Sequence, residues 1–430
     1  MPMRPVLMTG ESRSRALVCG AVVLLSLLGS PPVVVSAQSA NLGLPADLVA
    51  AVVRDLRISP REYLRRAELS QRVAEFSASA ARRFPHAFAG GRLDDSGNAV
   101  VAVVPGVGSD GVVEAVRSAG FDIEYVVGPH VALTALPDIT NVGTGSGGTG
   151  SGAPGSAAPA AAIYGGDPYV IPDKVFNEAC SFGFNGTDKD GDIVNISAGH
   201  CIGLGGWFVK DTAIYSLKPG TKLKPIPPDT AQRTDVERVK QEYEPKPDTE
   251  QLGVFKKVVF NAVPDAPKGP RAPRSEPRPQ GMDYSIIKVA DGARNRFQNN
   301  RVRGEAGKAL EIDGVAEAVV GMPVCKSGAM TGWTCGHVLR IKNESMGSDQ
   351  YPGDIIVKNA IVTDLCGWHG DSGGAAVTGK KALGIMHGGS TVDEYNNAVP
   401  TCRDLPAFDV SLQPIKPVLD DNSGLEIRTS

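Results

Sequence analysis

Three short segments carry side chains that together could break an acyl bond. They are Ser197-Ala198-Gly199-His200-Cys201, Asp283-Tyr284-Ser285-Ile286-Ile287 and Gly370-Asp371-Ser372-Gly373-Gly374. A serine hydroxyl is a poor nucleophile at neutral pH and needs an adjacent base, and an imidazole suits because it titrates near neutrality. The imidazole in turn needs a buried carboxylate to fix its tautomer and stabilise the imidazolium. Ser372, His200 and Asp283 are the candidates for nucleophile, base and orienting acid. Glycines around the serine let the N–H groups of Gly370 and Ser372 point at a carbonyl oxygen as it becomes an oxyanion. Asp283 stands directly before an apolar run, which favours this role over that of a surface carboxylate.

Chain order narrows the fold that must hold them. Gly370-x-Ser372-x-Gly374 also satisfies the nucleophile elbow of α/β-hydrolases, which place the acid and then the base after the serine. Only 58 residues follow Ser372, with a single histidine, His387. The order His, Asp, Ser is that of chymotrypsin-like proteases. From Ile163 onward the sequence is made of short β-prone runs between turn residues: Cys180–Phe184, Ile193–Ser197, Val254–Phe260, Tyr284–Val289, Ile355–Val362 and Ala375–Val377. Many short strands with Gly-rich turns predict an all-β barrel or sandwich. Residues 217–281 hold 12 of the 32 prolines; proline cannot donate to a strand ladder, so this stretch reads mostly as a surface insertion, with Gly253–Phe260 as a strand within it.

Upstream lie three segments of different texture. Arg4, Arg13 and Arg15 precede a 14-residue apolar run, Ala16 to Gly29, then Pro31, Pro32 and the small residues up to Ala37. This is the pattern of a secretory signal cut after Ala37, and the run is shorter than the ~20 residues that span a membrane. Residues 38–140 predict a small α+β unit. Leu44, Leu48, Val52 and Leu56, then Leu64, Ala67 and Val73, fall at helical spacing, with Ser59-Pro60-Arg61-Glu62 as a helix start between them. A strand (Ala99 to Val104), a helix (Gly111 to Ser118) and a strand (Phe121 to Val127) follow. Arg54, Arg57, Arg61, Arg65 and Arg66 read as a solvated helix face rather than a binding stripe. Residues 141–162 carry no charge and no large side chain, the composition of a flexible linker.

Composition excludes several classes. A formal net charge of −3 leaves no basic footprint, so no nucleic-acid partner is expected, nor is stable membrane insertion. Seven cysteines become six once Cys19 leaves with the signal, an even number suited to disulfides in an oxidising, extracellular setting. The cysteines lack a close paired spacing and His200 is needed elsewhere, so neither a metal nor any other cofactor is expected.

From Ile163 to the C-terminus the sequence resembles the bacterial secreted chymotrypsin-like serine proteases, in particular the streptogrisin and α-lytic protease group. The pieces that carry the resemblance are Ile163-Tyr164-Gly165-Gly166-Asp167, Cys180-Ser181-Phe182-Gly183-Phe184, the His200 and Asp283 motifs, Val324-Cys325-Lys326-Ser327-Gly328, Thr331-Gly332-Trp333-Thr334-Cys335-Gly336 and the Ser372 motif. Residues 38–140 resemble the prosegments of that group. The resemblance implies an all-β domain over 163–430, made of two packed antiparallel six-stranded β-barrels with the site in the cleft between them. It implies disulfides Cys180–Cys201, Cys325–Cys335 and Cys366–Cys402, processing at Ala162–Ile163, and a prosegment acting as intramolecular chaperone and inhibitor. The expectation is thus a secreted, monomeric serine endopeptidase made as a zymogen and acting on proteins or peptides. The rival expectation is a non-catalytic binding or adhesion protein on the same scaffold.

This chain departs from the group at two places: His369 stands before Gly370 where near relatives carry proline, and His387 takes the place of a serine that contacts the orienting Asp. The specificity pocket is expected between the segment entering Cys366 and residues 385–390, with Asp364, His387, Gly388 and Gly389 as candidates. Asp364 would select Arg or Lys. His387 would favour an acidic side chain or replace a structural hydroxyl. An apolar pocket is the reading preferred here, because one aligned position is thin support for a charge.

Overall fold

The runs of β-branched and aromatic residues pair into two curled antiparallel sheets, each of which buries side chains on its inner face. The computed structural model describes residues 42–106, 108–127, 161–172, 178–202, 211–218, 247–259, 281–303, 308–346, 355–389 and 409–430. The expected signal with its cut at Ala37, most of the linker and most of the 217–281 stretch lie outside them.

An N-terminal layer comes first. A helix over Ala46–Ala51 runs into a π-helical turn, Val52–Leu56, and a long helix covers Pro60–Arg83. Ser59 accepts the N–H of Glu62 and Pro60 takes the first helical position, so the long helix starts where the sequence predicts it. Strands β1 (Phe88–Leu93), β2 (Ala99–Val103) and β3 (Asp122–Tyr125) form a small sheet, with a helix over Ser109–Ala119 crossing from β2 to its parallel neighbour β3. Arg65 and Arg66 pair with Glu62 and reach the carbonyls of residues 95–97, so they brace the layer from within.

The first barrel is built from β4 (Pro168–Ile171), β5 (Glu178–Ser181), β6 (Phe184–Thr187), β7 (Ile193–Ser197), β8 (Ala213–Leu217), β9 (Pro247–Val259) and β10 (Tyr284–Val289). Its hydrogen-bonded order is β6-β7-β10-β9-β8-β4-β5. Its end strands β5 and β6 follow one another in the chain, with only Phe182 and Gly183 between them. Strand β9, which extends the expected Gly253–Phe260 run, supplies the rung between β8 and β10. Tyr169, Phe182, Phe255, Ile287 and Phe297 fill its interior.

Two short pairings lead onward: β11 (Arg301–Val302) pairs with β12 (Leu310–Glu311), and β13 (Gly314–Val315) lies parallel to Lys381 and Ala382. The second barrel comprises β14 (Pro323–Gly328), β15 (Gly332–Met346), β16 (Ile355–Thr363), β17 (Ala375–Thr378), β18 (Lys381–Gly389) and β19 (Val410–Pro414). The β18–β19 pairing closes the order β18-β17-β14-β15-β16-β19 into an antiparallel ring of six. Closure leaves no free edge. A helix over Ile415–Asp420 then returns the chain to the first barrel, where β20 (Glu426–Ile427) pairs with β6. The expected two-barrel, all-β fold with an α+β unit before it is thus what the chain adopts.

Disulfides join Cys180 to Cys201 and Cys325 to Cys335, as the resemblance implied. Cys366 is disulfide-bonded, and its expected partner Cys402 lies outside the described residues.

The N-terminal layer packs on the second barrel. Val73, Val101 and Val116 share one apolar core with Met322, Val324, Val338 and Ile361. Polar contacts fix the register of that packing. Arg54 donates to the Trp333 carbonyl, Asp55 accepts the N–H of Cys335, Gln71 accepts the N–H of Glu317, and Leu93 N–H donates to Val320 O. Fully buried Tyr63 accepts the N–H of Gly379 at 3.0 Å. Tyr63→Phe strands that buried N–H and is expected to cost the full-length chain about 1–3 kcal/mol. A denaturant titration of both chains measures it; an unchanged midpoint would show that the contact contributes nothing.

Candidate active site

The segments that carry His200, Asp283 and Ser372 meet at one point between the barrels. His200 sits in the turn that leaves β7, Asp283 immediately precedes β10, and Ser372 lies in the turn that enters β17. The pairing of β7 with β10, Ser197 opposite Ser285, brings the first two together. The backbone N–H of His200 donates to Asp283 Oδ1 at 2.8 Å, and its ring Nδ1 stands 2.6 Å from Asp283 Oδ2. On the other side of the ring, His200 Nε2 is 2.8 Å from Ser372 Oγ. A proton leaving the hydroxyl therefore has a base in reach, and that base has a carboxylate behind it.

The serine turn is held by unusual backbone and a buried ion pair. Gly370 (φ +95°) and Gly373 (φ +81°) occupy the left-handed region that favours glycine. A Cβ on Gly373 would also lie 2.0 Å from Ser197 Oγ, so the turn can press against β7 only because that side chain is absent. Ser181 N–H donates to the Ser372 carbonyl and Ser181 Oγ to the Gly370 carbonyl, tying the turn to the first barrel. Among the described residues neither the Gly370 nor the Ser372 N–H has a backbone acceptor.

Behind the turn, Asp371 and Lys326 are both completely buried, 3.0 Å apart. The Asp371 carboxylate also accepts N–H groups of Met330, Thr331 and Trp368 and the Thr331 hydroxyl. This ion pair was not assigned a role from sequence. The sequence offered only a lysine inside the segment Val324–Gly328 and an acid inside the serine motif; that every residue of that strand is buried is seen only in the structure. Removing one partner of a buried pair leaves an uncompensated charge, so Lys326→Met is expected to cost about 3–5 kcal/mol. A denaturant titration checks it, and a loss under about 1 kcal/mol would show that the hydrogen bonds alone satisfy Asp371.

Asp283 has no exposed surface. Burial alone would push its carboxyl up, but the imidazoles of His200 and His387 hold it well below the ordinary carboxylate range, so it stays ionised. His387 Nδ1 lies 2.5 Å from Asp283 Oδ2, and Gln413 on β19 accepts the N–H of Asp283. His387 thus faces the carboxylate, in the place the resemblance gave to a serine. His200, Asp283 and His387 form a donor set of metal-binding types. Their 2.5–2.6 Å separations are those of hydrogen bonds, whereas two ligands on a tetrahedral metal stand roughly 3.3 Å apart.

The remaining expected site residues are more scattered. Asp364, at the end of β16, accepts the backbone N–H of His337 and faces the His337 ring, with nearly half of its side chain exposed. It makes no hydrogen bond to the His200–Asp283–Ser372 group. Gly388 and Gly389 end β18 opposite Ser411 and Val410. At the expected processing bond, Ala162 is half-buried and Ile163 is buried. The Ile163 N–H donates to Arg296 O, and its carbonyl accepts from Asn185 and Asn299. Among the described residues no helix is long and apolar enough to cross a membrane.

Comparison with known proteins gives a consistent picture. No family model matches the chain. It is 36% identical over 122 residues to serine protease 2 of Streptomyces fradiae, covering 28% of this chain and 64% of that protein. It is 36% identical over 89 residues to streptogrisin-C of Streptomyces griseus, covering 21% and 18%. Glutamyl endopeptidase 2 of Streptomyces griseus is 38% identical over 108 residues, 25% of this chain and 53% of that protein. The chain therefore spans less than two thirds of the length of each of these relatives. Among solved structures, Nocardiopsis protease (NAPase) superposes with a TM-score of 0.40 at 24% identity, covering 63% of this chain and all of that one. The sequence relatives bear out the resemblance to the streptogrisin group of bacterial serine proteases.

Proposed function

We propose that the chain is the precursor of a secreted serine endopeptidase that hydrolyses peptide bonds through an acyl-enzyme. The observation that carries this reading is the unbroken relay from Ser372 Oγ to His200 and on to Asp283, with hydrogen-bond distances of 2.8 and 2.6 Å. Ser372 Oγ attacks the scissile carbonyl while His200 Nε2 takes its proton, and ionised Asp283 stabilises the imidazolium so formed. The carbonyl oxygen gains negative charge and is met by the N–H groups of Gly370 and Ser372. His200 then returns the proton to the leaving amine. Water repeats the sequence on the acyl-enzyme, releasing the acid and restoring Ser372. That relatives are named serine protease 2 and glutamyl endopeptidase 2 supports protein or peptide substrates, and the disulfides Cys180–Cys201 and Cys325–Cys335 fit an oxidising, extracellular setting. The 2.8 and 2.6 Å separations favour this reading over a non-catalytic role on the same scaffold.

A fluorophosphonate probe tests the reading directly. Covalent labelling of the processed protein is expected, and its loss in Ser372→Ala. Absence of labelling in the processed wild-type protein would overturn the enzyme in favour of the binding protein.

Residues 38–140 are proposed as a folding aid and inhibitor, followed by a linker over 141–162. Their packing on the second barrel through a shared core supports the first role, because proteases of this kind are held folded by slow unfolding and a bound partner helps them over the barrier. N-terminal sequencing of the active secreted form is expected to begin at or near Ile163. Full activity in a form that retains residues 38–140 would contradict the inhibitory role.

A further inference from the structure

His387 is drawn to Asp283 by a local feature of the second barrel. Strand β18 follows β19 in register through Met386, opposite Leu412, and resumes at Gly388, opposite Ser411. His387 is the extra residue of that bulge, and a bulge re-aims the side chain it carries. The ring is only 1% exposed and meets the His200 ring edge-on, with centroids 6.1 Å apart. Among the described residues its Nε2 has no partner, and the ring's hydrogen bond is to the Asp283 carboxylate. Because an ionised carboxylate only accepts, both imidazoles must present Nδ1–H to the same oxygen, Oδ2.

We propose that His387 is a positioning residue that acts on His200 through Asp283, sharing the carboxylate oxygen and so setting how strongly Asp283 stabilises the His200 imidazolium. This rests on the serine-protease reading of the site. The physical basis is that an acceptor divided between two donors gives less to each. His387 anchors Oδ2 in place, which orients His200 toward Ser372, and draws off part of the charge that would otherwise hold a proton on His200. The other groups near the carboxylate bring no net charge to it. Gln413 from β19 is neutral, and the Lys326–Asp371 pair behind Ser372 balances within itself.

The test compares the pH dependence of peptide hydrolysis in wild type, His387→Leu and His387→Asn. Leucine removes the donor, whereas the asparagine amide can offer an N–H where Nδ1 stood. In the leucine variant kcat is expected to fall about 10- to 100-fold, the effect of one hydrogen bond to a charged group. KM is expected to change far less. With Oδ2 no longer shared, a proton is held more tightly on His200, so the acid limb of kcat/KM moves to higher pH. Asparagine is expected to restore most of the rate and return the limb toward its wild-type position. If leucine lowers thermal stability but leaves the limb in place, or lowers activity through KM alone, His387 is packing or pocket wall and the proposal fails. If asparagine folds yet restores neither quantity, donation to Asp283 is not the cause and the proposal also fails. Fluorophosphonate labelling of Ser372 in wild type separates these results from failure of the protease reading itself, which would show as no labelling at all.

Discussion

One buried anion organises the junction of the two barrels. The carboxylate of Asp283 has no access to water, and an unpaired charge in that position would cost several kcal/mol. It is made tolerable by donors from both sides: the backbone and ring of His200 from the first barrel, and the ring of His387 from the second. The adjoining Asp283 N–H reaches across to Gln413 of the second barrel. The barrels can therefore satisfy this charge only when they meet in one arrangement, and that arrangement also places Ser372 against His200. The hydrogen bonds that join the barrels at this point are also those that, on the proposed reading, would activate the serine.

The serine side of the junction follows a similar logic with opposite means. Asp371 is as deeply buried as Asp283, but it is neutralised by Lys326 and enclosed by N–H donors within the second barrel. It shapes the turn rather than taking part in proton transfer. Gly373 then allows the turn to approach β7 closely enough for Ser181 to bind the Ser372 and Gly370 carbonyls. The turn is built inside one barrel and fastened to the other.

Much of this was legible in the sequence for physical reasons. The chain order His200, Asp283, Ser372 excluded the hydrolase elbow, and alternating β-branched runs marked β7, β10, β16 and β17 to within a residue or so. The strand within the Pro-rich stretch was legible from Gly253–Phe260, although not its full length, since β9 starts at a proline and polar residues that carry no strand signal. The Lys326–Asp371 pair went unassigned because a lone lysine in a strand looks like a solvated edge until its neighbours are known to be buried. The bulge at His387 was equally hidden. The resemblance put His387 in the place of a serine that contacts the orienting Asp, but the β18–β19 bulge that carries it there shows only in the strand register.

The central claim is that Asp283 Oδ2 holds two imidazole N–H groups at once, and proton NMR of protein labelled with ¹⁵N-histidine tests it most directly. Protons in short hydrogen bonds to a buried carboxylate resonate far downfield and exchange slowly. The account predicts two such signals, on the Nδ1 atoms of His200 and His387, both lost in Asp283→Asn. A single downfield Nδ1 proton, belonging to His200 alone, would contradict it.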